Sequence, residues 1–391
     1  MSMNAKEIAS NWFDLFNAHA QDLYPGRYNW TTCVELAEMG IEIRRLAAEK
    51  GSKIAVHNYL PPEFHEIADF LGDSLGLALN VRDSGATRVD FESVHFMGAT
   101  AKIILGDSSR VFTCDTPEVL GCSLVSGTDY GWVERWRQKN PGSIVATYVN
   151  SDAYTKSISD YVTTSRNTAA IVVHILRTHP DARILIMPDK FLGYVSLSQA
   201  LEMLPEGERE AAEARVDIYK HSYGGYNAAC YVHEAIGPEG PEQALEDHPD
   251  ADLLIHPECG CASSCLLKLS QGLLPKDRFY YLSTEKMVWH AKKSSKKKFI
   301  VATETGMIYR LRKEMPDKTF LAVSDKATCK FMKANTFEKL LASLRDDKYE
   351  IVLCDDCCDP KHPFQDERSV HIPRTVAAQA KTAIDRMMAI K

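Results

Sequence analysis

The stretch Leu253-Leu254-Ile255-His256-Pro257-Glu258 changes character in one step, from three aliphatic residues to two ionisable ones around a proline. A short apolar run bounded this way reads as a strand buried on both faces whose end leaves the core. The same change recurs along the chain. Ile54-Ala55-Val56 ends in His57-Asn58-Tyr59, Ile144-Val145-Ala146-Thr147 in Tyr148-Val149-Asn150, Ile184-Leu185-Ile186-Met187 in Pro188-Asp189-Lys190, and Phe299-Ile300-Val301-Ala302 in Thr303-Glu304-Thr305-Gly306. Between these runs lie amphipathic segments, among them 63–82, 167–177 and 336–344, which read as helices. Strands alternating with helices predict an α/β fold with parallel sheets. In such sheets ligands bind beyond the carboxyl ends of the strands, where these polar residues fall. Any one strand can end in a polar residue simply because the chain is leaving the core, but the series together predicts a shared pocket.

Three cysteines share a second pattern. Cys329 in Ala327-Thr328-Cys329-Lys330-Phe331-Met332-Lys333 follows the strand-like run 319–323, Cys122 in Gly121-Cys122-Ser123-Leu124 follows 110–114, and Cys230 in Ala229-Cys230-Tyr231-Val232-His233 follows 216–220. They recur roughly every hundred residues, the size of one small α/β unit, so three units are expected to converge on one metal site. Thiolates from separated loops suit an iron–sulfur cluster better than structural zinc, whose ligands come in paired C-x-x-C spacings. Three ligands on a four-iron cube leave one iron open, a Lewis acid able to hold and polarise a substrate hydroxyl or carboxylate. Two further trios compete: Cys259, Cys261 and Cys265, and Cys354, Cys357 and Cys358. Either trio could bind zinc or a second cluster, but neither has the two-pair spacing of a zinc ribbon, and the other reading is local packing or adventitious redox sites.

Composition bounds the rest. In 391 residues, 45% are hydrophobic, which is ample core for two or three domains. A net charge of −7 offers no excess of cations for nucleic acid or an anionic membrane. The N-terminus lacks a signal-peptide pattern and no stretch approaches the ~18 apolar residues of a membrane span, so a cytoplasmic protein is expected. There, eleven cysteines are better explained by metal binding, reactive thiols or burial than by disulfides. The first fifty residues read as helical, with Trp12, Phe13 and Phe16 on one face and Leu36, Met39, Ile43 and Leu46 on a second stripe. Turn-rich segments near 126–130 and 237–241 divide the remainder. The expected units are an N-terminal helical extension 1–50, α/β units 51–127, 128–236 and 237–369, and a C-terminal helix 370–391 returning to the first. Hydroxyls precede helices at Thr163-Thr164-Ser165 and Leu282-Ser283-Thr284, either as anion sites or as ordinary N-caps. The lysine-rich run 292–298 reads as a solvated connection.

The segments Val56-His57-Asn58-Tyr59, Asp69-Phe70-Leu71-Gly72-Asp73-Ser74, Val94-His95-Phe96-Met97, Gly121-Cys122-Ser123-Leu124, Tyr148-Val149-Asn150-Ser151, Pro188-Asp189-Lys190-Phe191-Leu192-Gly193, Cys230-Tyr231-Val232-His233-Glu234, His256-Pro257-Glu258-Cys259 and Met315-Pro316-Asp317-Lys318 come in one order and spacing. In that order they resemble the quinolinate synthase (NadA) family from about Lys53 to the C-terminus. The resemblance implies three similar α/β domains around a pseudo-threefold axis, with the active site at the shared centre. It implies condensation of iminoaspartate with dihydroxyacetone phosphate to quinolinate, with loss of phosphate and water, in NAD biosynthesis. A [4Fe-4S] cluster on Cys122, Cys230 and Cys329 is implied, as is an enzyme that supplies iminoaspartate. The family's substrate pocket falls on His57, Tyr59, Ser74, Tyr148, Asn150, Ser165, His256, Glu258, Ser283 and Thr284, with Glu258, Tyr59 and His57 as the catalytic groups. Leu60, Leu282 and Glu285 depart from the family pattern. The rival readings are a noncatalytic iron–sulfur redox sensor on the same fold and a zinc-dependent α/β lyase. A sensor has no need of the polar pocket.

Overall fold

The computed structural model describes residues 3–270, 276–355 and 368–390, together with residues 274, 359, 361 and 366. Cys357 and Cys358 lie outside the described residues. The strands, in chain order, are β1 (Lys53–His57), β2 (Phe70–Gly72), β3 (Arg88–Glu92), β4 (Arg110–Phe112), β5 (Ile144–Tyr148), β6 (Tyr161–Thr163), β7 (Ile184–Met187), β8 (Val216–Ile218), β9 (Asp252–Ile255), β10 (Phe279–Tyr281), β11 (Lys298–Ala302), β12 (Thr319–Ala322), β13 (Glu350–Cys354) and β14 (Ser369–Pro373). They form three sheets with one repeated order: β2-β1-β3-β4, β6-β5-β7-β8 and β10-β9-β11-β12, all parallel. Each sheet thus has the second strand outside the first and the fourth outside the third. The central strands are covered on both faces; every residue of β5, β7 and β9 is buried.

The first sheet is extended by β13, antiparallel to β4, and by β14, parallel to β13. The strands after residue 349 therefore pack with the first sheet, where the sequence had placed residues up to 369 in the third unit. The expected helix 370–391 is also shorter. Residues 369–373 are strand, and the helix runs Arg374–Ala389. Pro373, lacking an N–H, cannot continue a helix from upstream but fits just before its first turn. That helix packs against β14 and also against β6 and the helix Ala153–Ser157 of the second sheet, so it ties two sheets together. The segment 63–82, read as one helix, is split into Pro62–Ile67 and Ser74–Ser84 by β2. Side chains fix the split. Asp69 accepts the Ile54 amide (2.9 Å) and pairs with Arg44 (2.8 Å), docking the edge strand, while Asp73 accepts the Gly76 amide (2.7 Å) and caps the next helix.

The N-terminal extension is a helical hairpin, Met3–Ala20 and Trp30–Glu49. Its helices approach closely at Gly40, where an added Cβ would stand 2.8 Å from the Trp12 ring. Lys292 and Lys293 of the lysine-rich run close a helix, and Lys298 is already in β11. Surface partners hold others of the run, Lys297 to Asp317 (2.6 Å) and Lys298 to Asp250 (3.0 Å). No helix among the described residues is long and apolar enough to cross a membrane.

Two histidines are buried in the core away from the strand-end pocket. His65 reaches the Leu60 carbonyl with Nε2 (3.2 Å), and His95 opens the helix that runs to Leu105. Burial lowers His65 to about 3 and His95 to about 4, so both are neutral when folded. An unfolded histidine takes up its proton near pH 6.5. Their contribution is therefore intact above about pH 6.5 and lost as pH falls toward 4, by up to about 1.4 kcal/mol per pH unit for each histidine. We expect the thermal midpoint to fall across this window, and to fall less steeply in the His65→Gln/His95→Gln double variant; calorimetry from pH 4 to 7.5 checks it.

Candidate active site

Six strand ends, two from each sheet, wall one pocket. The first strand of each sheet brings His57 and Tyr59, Tyr148 and Asn150, or His256 and Glu258. The second strand of each brings a serine two residues past its last paired position: Ser74 after Gly72, Ser165 after Thr163, Ser283 after Tyr281, with Thr284 beside the last. All the substrate-pocket residues expected from the sequence meet here. His256 and Glu258 lie just past β9, which stops at Ile255. The turn there brings them inward. The Cys259 amide donates to the His256 carbonyl (2.9 Å), and His256 Nδ1 stands 3.1 Å from Glu258 Oε2.

The hydroxyls differ in what they do. Ser283 precedes the helix Thr284–Lys293 but does not cap it, and its hydroxyl is buried without a hydrogen-bond partner among the described residues. Ser165 lies in the turn before the helix Thr168–Thr178, whose preceding residue Asn167 accepts from the Thr164 amide (2.7 Å). Glu285, a departure from the family pattern, accepts from Asn58 Nδ2 (3.0 Å) and pairs with Arg310 (2.5 Å). Asn58 also donates to Thr284 Oγ1 (3.1 Å), so these bonds anchor the helix start to the end of β1. Leu60 is buried in the core.

A second cavity adjoins the first, and Cys122, Cys230 and Cys329 line it. Tyr59, Met97, Asn150 and Glu258 belong to both walls. Each cysteine follows the fourth strand of its sheet, and at each the chain turns so that backbone N–H groups point back at the sulfur: Leu124 and Val125 at Cys122, His233 at Cys230, Phe331 and Met332 at Cys329. Carboxylates just past the third strands hold two of the cysteine amides. Asp189 Oδ2 accepts from Cys230 N and Glu304 Oε1 from Cys329 N, each at 3.0 Å. Burial pushes all three thiols up, Cys122 to about 12. Bare thiolates would be unstable in this wall of Val94, Phe96, Leu124 and Phe331 with Glu258 nearby. Three soft sulfur donors supported by amide N–H groups in an apolar shell fit an iron–sulfur centre.

The remaining cysteines among the described residues do not line this cavity. Cys259 and Cys261 are joined as a disulfide, with Cα atoms 5.2 Å apart, against the expectation that the thiols stay unpaired. The turn into the helix Gly260–Ser270 brings two cysteines one residue apart within bonding reach. Cys265 is buried one turn further on, and Cys354 ends β13 in the first sheet.

Electrostatics separate the groups. Burial alone would raise Glu258, but the hydrogen bond from His256 and the Asn150 amide (3.2 Å) hold its carboxyl below the usual value. Burial keeps His57 neutral, lowered to about 3, and pushes the Tyr59 and Tyr148 hydroxyls well up. The Tyr59 amide donates to His57 Nδ1 (3.2 Å), which leaves the ring proton on Nε2. Tyr59 Oη is 2.7 Å from Thr303 Oγ1. Sequence reasoning missed His233. Its Nε2 meets Thr303 Oγ1 (3.0 Å), its ring stacks on His256 with centroids 5.1 Å apart, and its Nδ1 lies 3.8 Å from Glu258 Oε2. Burial lowers it to about 4. The signal was available, since a residue three positions after Cys230 at a helix start faces the same side. Arg166, at the pocket mouth 3.7 Å from Asp73, was missed as well.

Three like parallel sheets whose strand ends share one polar pocket and one three-cysteine cavity define an α/β enzyme with a metal-competent centre. Residues 41–389 match the family described as Quinolinate synthetase A protein (NadA). The chain belongs to that family. It is 35% identical over 348 residues to the quinolinate synthase of Pyrobaculum aerophilum, covering 88% of this chain and 97% of the relative. It is 36% identical over 350 residues to a quinolinate synthase of Thermus thermophilus, covering 89% and 96%. With the Mycobacterium tuberculosis protein of the same name the identity is 34% over 349 residues, covering 89% and 88%.

The two hydroxyl-bearing helix starts should respond differently to truncation. Ser283→Ala removes a hydroxyl without a hydrogen-bond partner among the described residues and should leave stability within about 0.5 kcal/mol of the parent. Asp73→Ala removes a cap and should cost about 1 kcal/mol. Denaturant unfolding of both variants reads the difference.

Proposed function

We propose that this chain is a quinolinate synthase of NAD biosynthesis, condensing iminoaspartate with dihydroxyacetone phosphate and releasing phosphate and water. Cys122, Cys230 and Cys329 would hold a [4Fe-4S] cluster. When bound, that cluster supplies an iron without a protein ligand, a Lewis acid for the loss of water. The observation that carries the reading is the shared wall: Tyr59, Asn150 and Glu258 face the polar pocket and the thiol cavity at once. We further take residues 1–50 as an extension, 51–127 with the C-terminal segment as the first unit, 128–236 as the second and the remainder as the third. The reading places the protein in the cytoplasm, beside an enzyme that makes iminoaspartate.

The chain's own groups then divide the work. Both substrates are anions, and the pocket meets them with the start of the helix Thr284–Lys293, the unpartnered Ser283 hydroxyl, Ser74, Ser165 and the Arg166 guanidinium. Tyr148 and His256 line the same wall; Tyr148 donates a hydrogen bond to a carboxylate or carbonyl oxygen, while the His256 ring is directed at Glu258 Oε2 (3.1 Å). Glu258, held ionised, accepts a proton from substrate carbon or nitrogen, and the Asn150 amide fixes the direction of its carboxylate. Tyr59, whose hydroxyl is kept protonated by burial, gives a proton to a leaving oxygen and regains one through Thr303, which hydrogen-bonds both Tyr59 and His233. Neutral His57 presents its Nε2 proton without adding a charge that would hold the product anions.

Two experiments test this. In anaerobically purified protein, with iron, sulfide and zinc counted per chain, replacing Cys122, Cys230 or Cys329 by Ser should remove iron and sulfide, while Cys265→Ser and Cys354→Ser should keep both. Zinc in the parent, or equal loss in the last two variants, defeats the cluster assignment. For the proton transfers, Glu258→Gln should keep the metal and bind substrate but turn over about 10²-fold to 10⁴-fold more slowly. Thr284→Ala should chiefly raise the apparent KM for dihydroxyacetone phosphate. Near-normal turnover of Glu258→Gln would move the base to another residue.

A further inference from the structure

The family match begins at residue 41, so the loop joining the two helices of the N-terminal hairpin, residues 21–29, lies wholly before it. That loop is nonetheless built into the molecule. Asp22 pairs with Arg312 (2.6 Å), and Arg312 also donates to the His19 carbonyl (3.2 Å). Tyr28 donates to Glu63 Oε2 (2.6 Å), and Arg27 pairs with the same carboxylate. Leu23 packs against the hydrophobic core of the third sheet as well as that of the first. Glu63 belongs to the segment after β1 and Arg312 to the helix Gly306–Glu314 after β11, so the loop straddles the first and third sheets.

Between those anchors stands Tyr24, with Lys333 Nζ 5.5 Å from its ring centroid. Lys333 is a junction. Its ammonium donates to the Tyr59 carbonyl, just past β1, and pairs at 3.1 Å with Glu304, just past β11. Glu304 is itself buried and uses both oxygens on backbone: Oε1 accepts the Cys329 amide (3.0 Å) and Oε2 the Gly306 amide (2.7 Å). The space is full, because a Cβ at Gly306 would come within 2.8 Å of Lys333 Nζ, Glu304 Oε2 and the Tyr59 carbonyl. A buried ion pair depends on exclusion of water and on complete hydrogen bonding, and an aromatic face adds attraction for the ammonium.

We propose that the 21–29 loop is a positioning element for the third cysteine: Tyr24 covers Lys333, Lys333 fixes Glu304, and Glu304 fixes the Cys329 amide and so the direction of its sulfur. The proposal rests on the reading that Cys329 helps to hold a metal centre, but the chain of contacts exists without one. Tyr24 touches neither cavity, and it acts through Lys333 and Glu304 as a positioning residue. Its consequence is that this chain's extension governs how firmly the Cys329 corner is held.

The test uses the full-length protein with Tyr24→Ala, Tyr24→Phe, Lys333→Met and the double variant Tyr24→Ala/Lys333→Met. The first readout is the alkylation rate of Cys329 relative to Cys122 in metal-free protein, by iodoacetamide and peptide mass spectrometry. The second is the rate of iron loss to a chelator from anaerobically loaded protein. Tyr24→Ala should speed Cys329 alkylation and iron release on the order of tenfold, the scale of one desolvated cation–π contact. Cys122 alkylation should be unchanged, Tyr24→Phe, which keeps the ring but loses the hydroxyl beside the Lys333 ammonium, should fall between the parent and Tyr24→Ala, and the double variant should be no faster than the faster single one, as for residues acting in series. Thermal unfolding midpoints separate this from global loosening, in which both cysteines would react faster together. Parent-like Cys329 alkylation in Tyr24→Ala, equal acceleration at Cys122, or additive effects would overturn the proposal. A Cys329-specific effect in protein that binds no iron would uphold the positioning and defeat the cluster reading instead.

Discussion

The structure depends on three parallel sheets pointing their carboxyl ends at one another and on what that arrangement does to the polar groups there. A strand leaving the core carries unpaired backbone and side-chain dipoles, and in an isolated sheet water would satisfy them. Here the other two sheets stand where the water would be. The polar ends must therefore satisfy one another: Asn58 with Thr284 and Glu285, Asn150 with Glu258, Tyr59 with Thr303, Thr303 with His233. Each of these bonds crosses from one sheet's strand ends to another's. Those still unpartnered, the Ser283 hydroxyl, the Asn150 carbonyl oxygen and His233 Nδ1, are buried at the same centre, where a substrate can supply what the protein does not.

The repeated strand order gives each part of the centre a fixed source. First strands deliver the histidine, tyrosine, asparagine and glutamate side chains, second strands the serines, and loops after fourth strands the cysteines. Third strands deliver Asp189 and Glu304, which bind cysteine amides in the second and third sheets. The first sheet breaks this rule. There the loop is anchored in the opposite sense, by its Leu120 carbonyl, two residues before Cys122, which accepts from the His95 amide (2.7 Å). Burial keeps His57 and His233 neutral, and Glu258 retains its charge because the hydrogen bonds from His256 and Asn150, with His233 close by, offset its burial.

The amino-acid sequence determined the elements and the parts list. Apolar runs of four or five residues with no alternation can be satisfied only when both faces are covered, which made parallel sheets legible before any coordinates, and the step from aliphatic to polar at each run's end marked the pocket residues. The recurrence of Cys122, Cys230 and Cys329 after strands separated them from the other cysteines. What one dimension could not carry was partnership across sheets. Phe70-Leu71-Gly72 is too short to announce a strand and becomes one because Asp69 reaches the Ile54 amide. The strands β13 and β14 lie near the third unit in sequence but pair with the first, because β4 offered the open edge. His233 gained its place from the stacking of His256, and Tyr24 from a lysine near the other end of the chain. Local periodicity fixes what a segment is, since it depends on neighbours a few residues apart; which segments meet depends on edges, buried charges and excluded water, and these exist only once the chain has closed on itself.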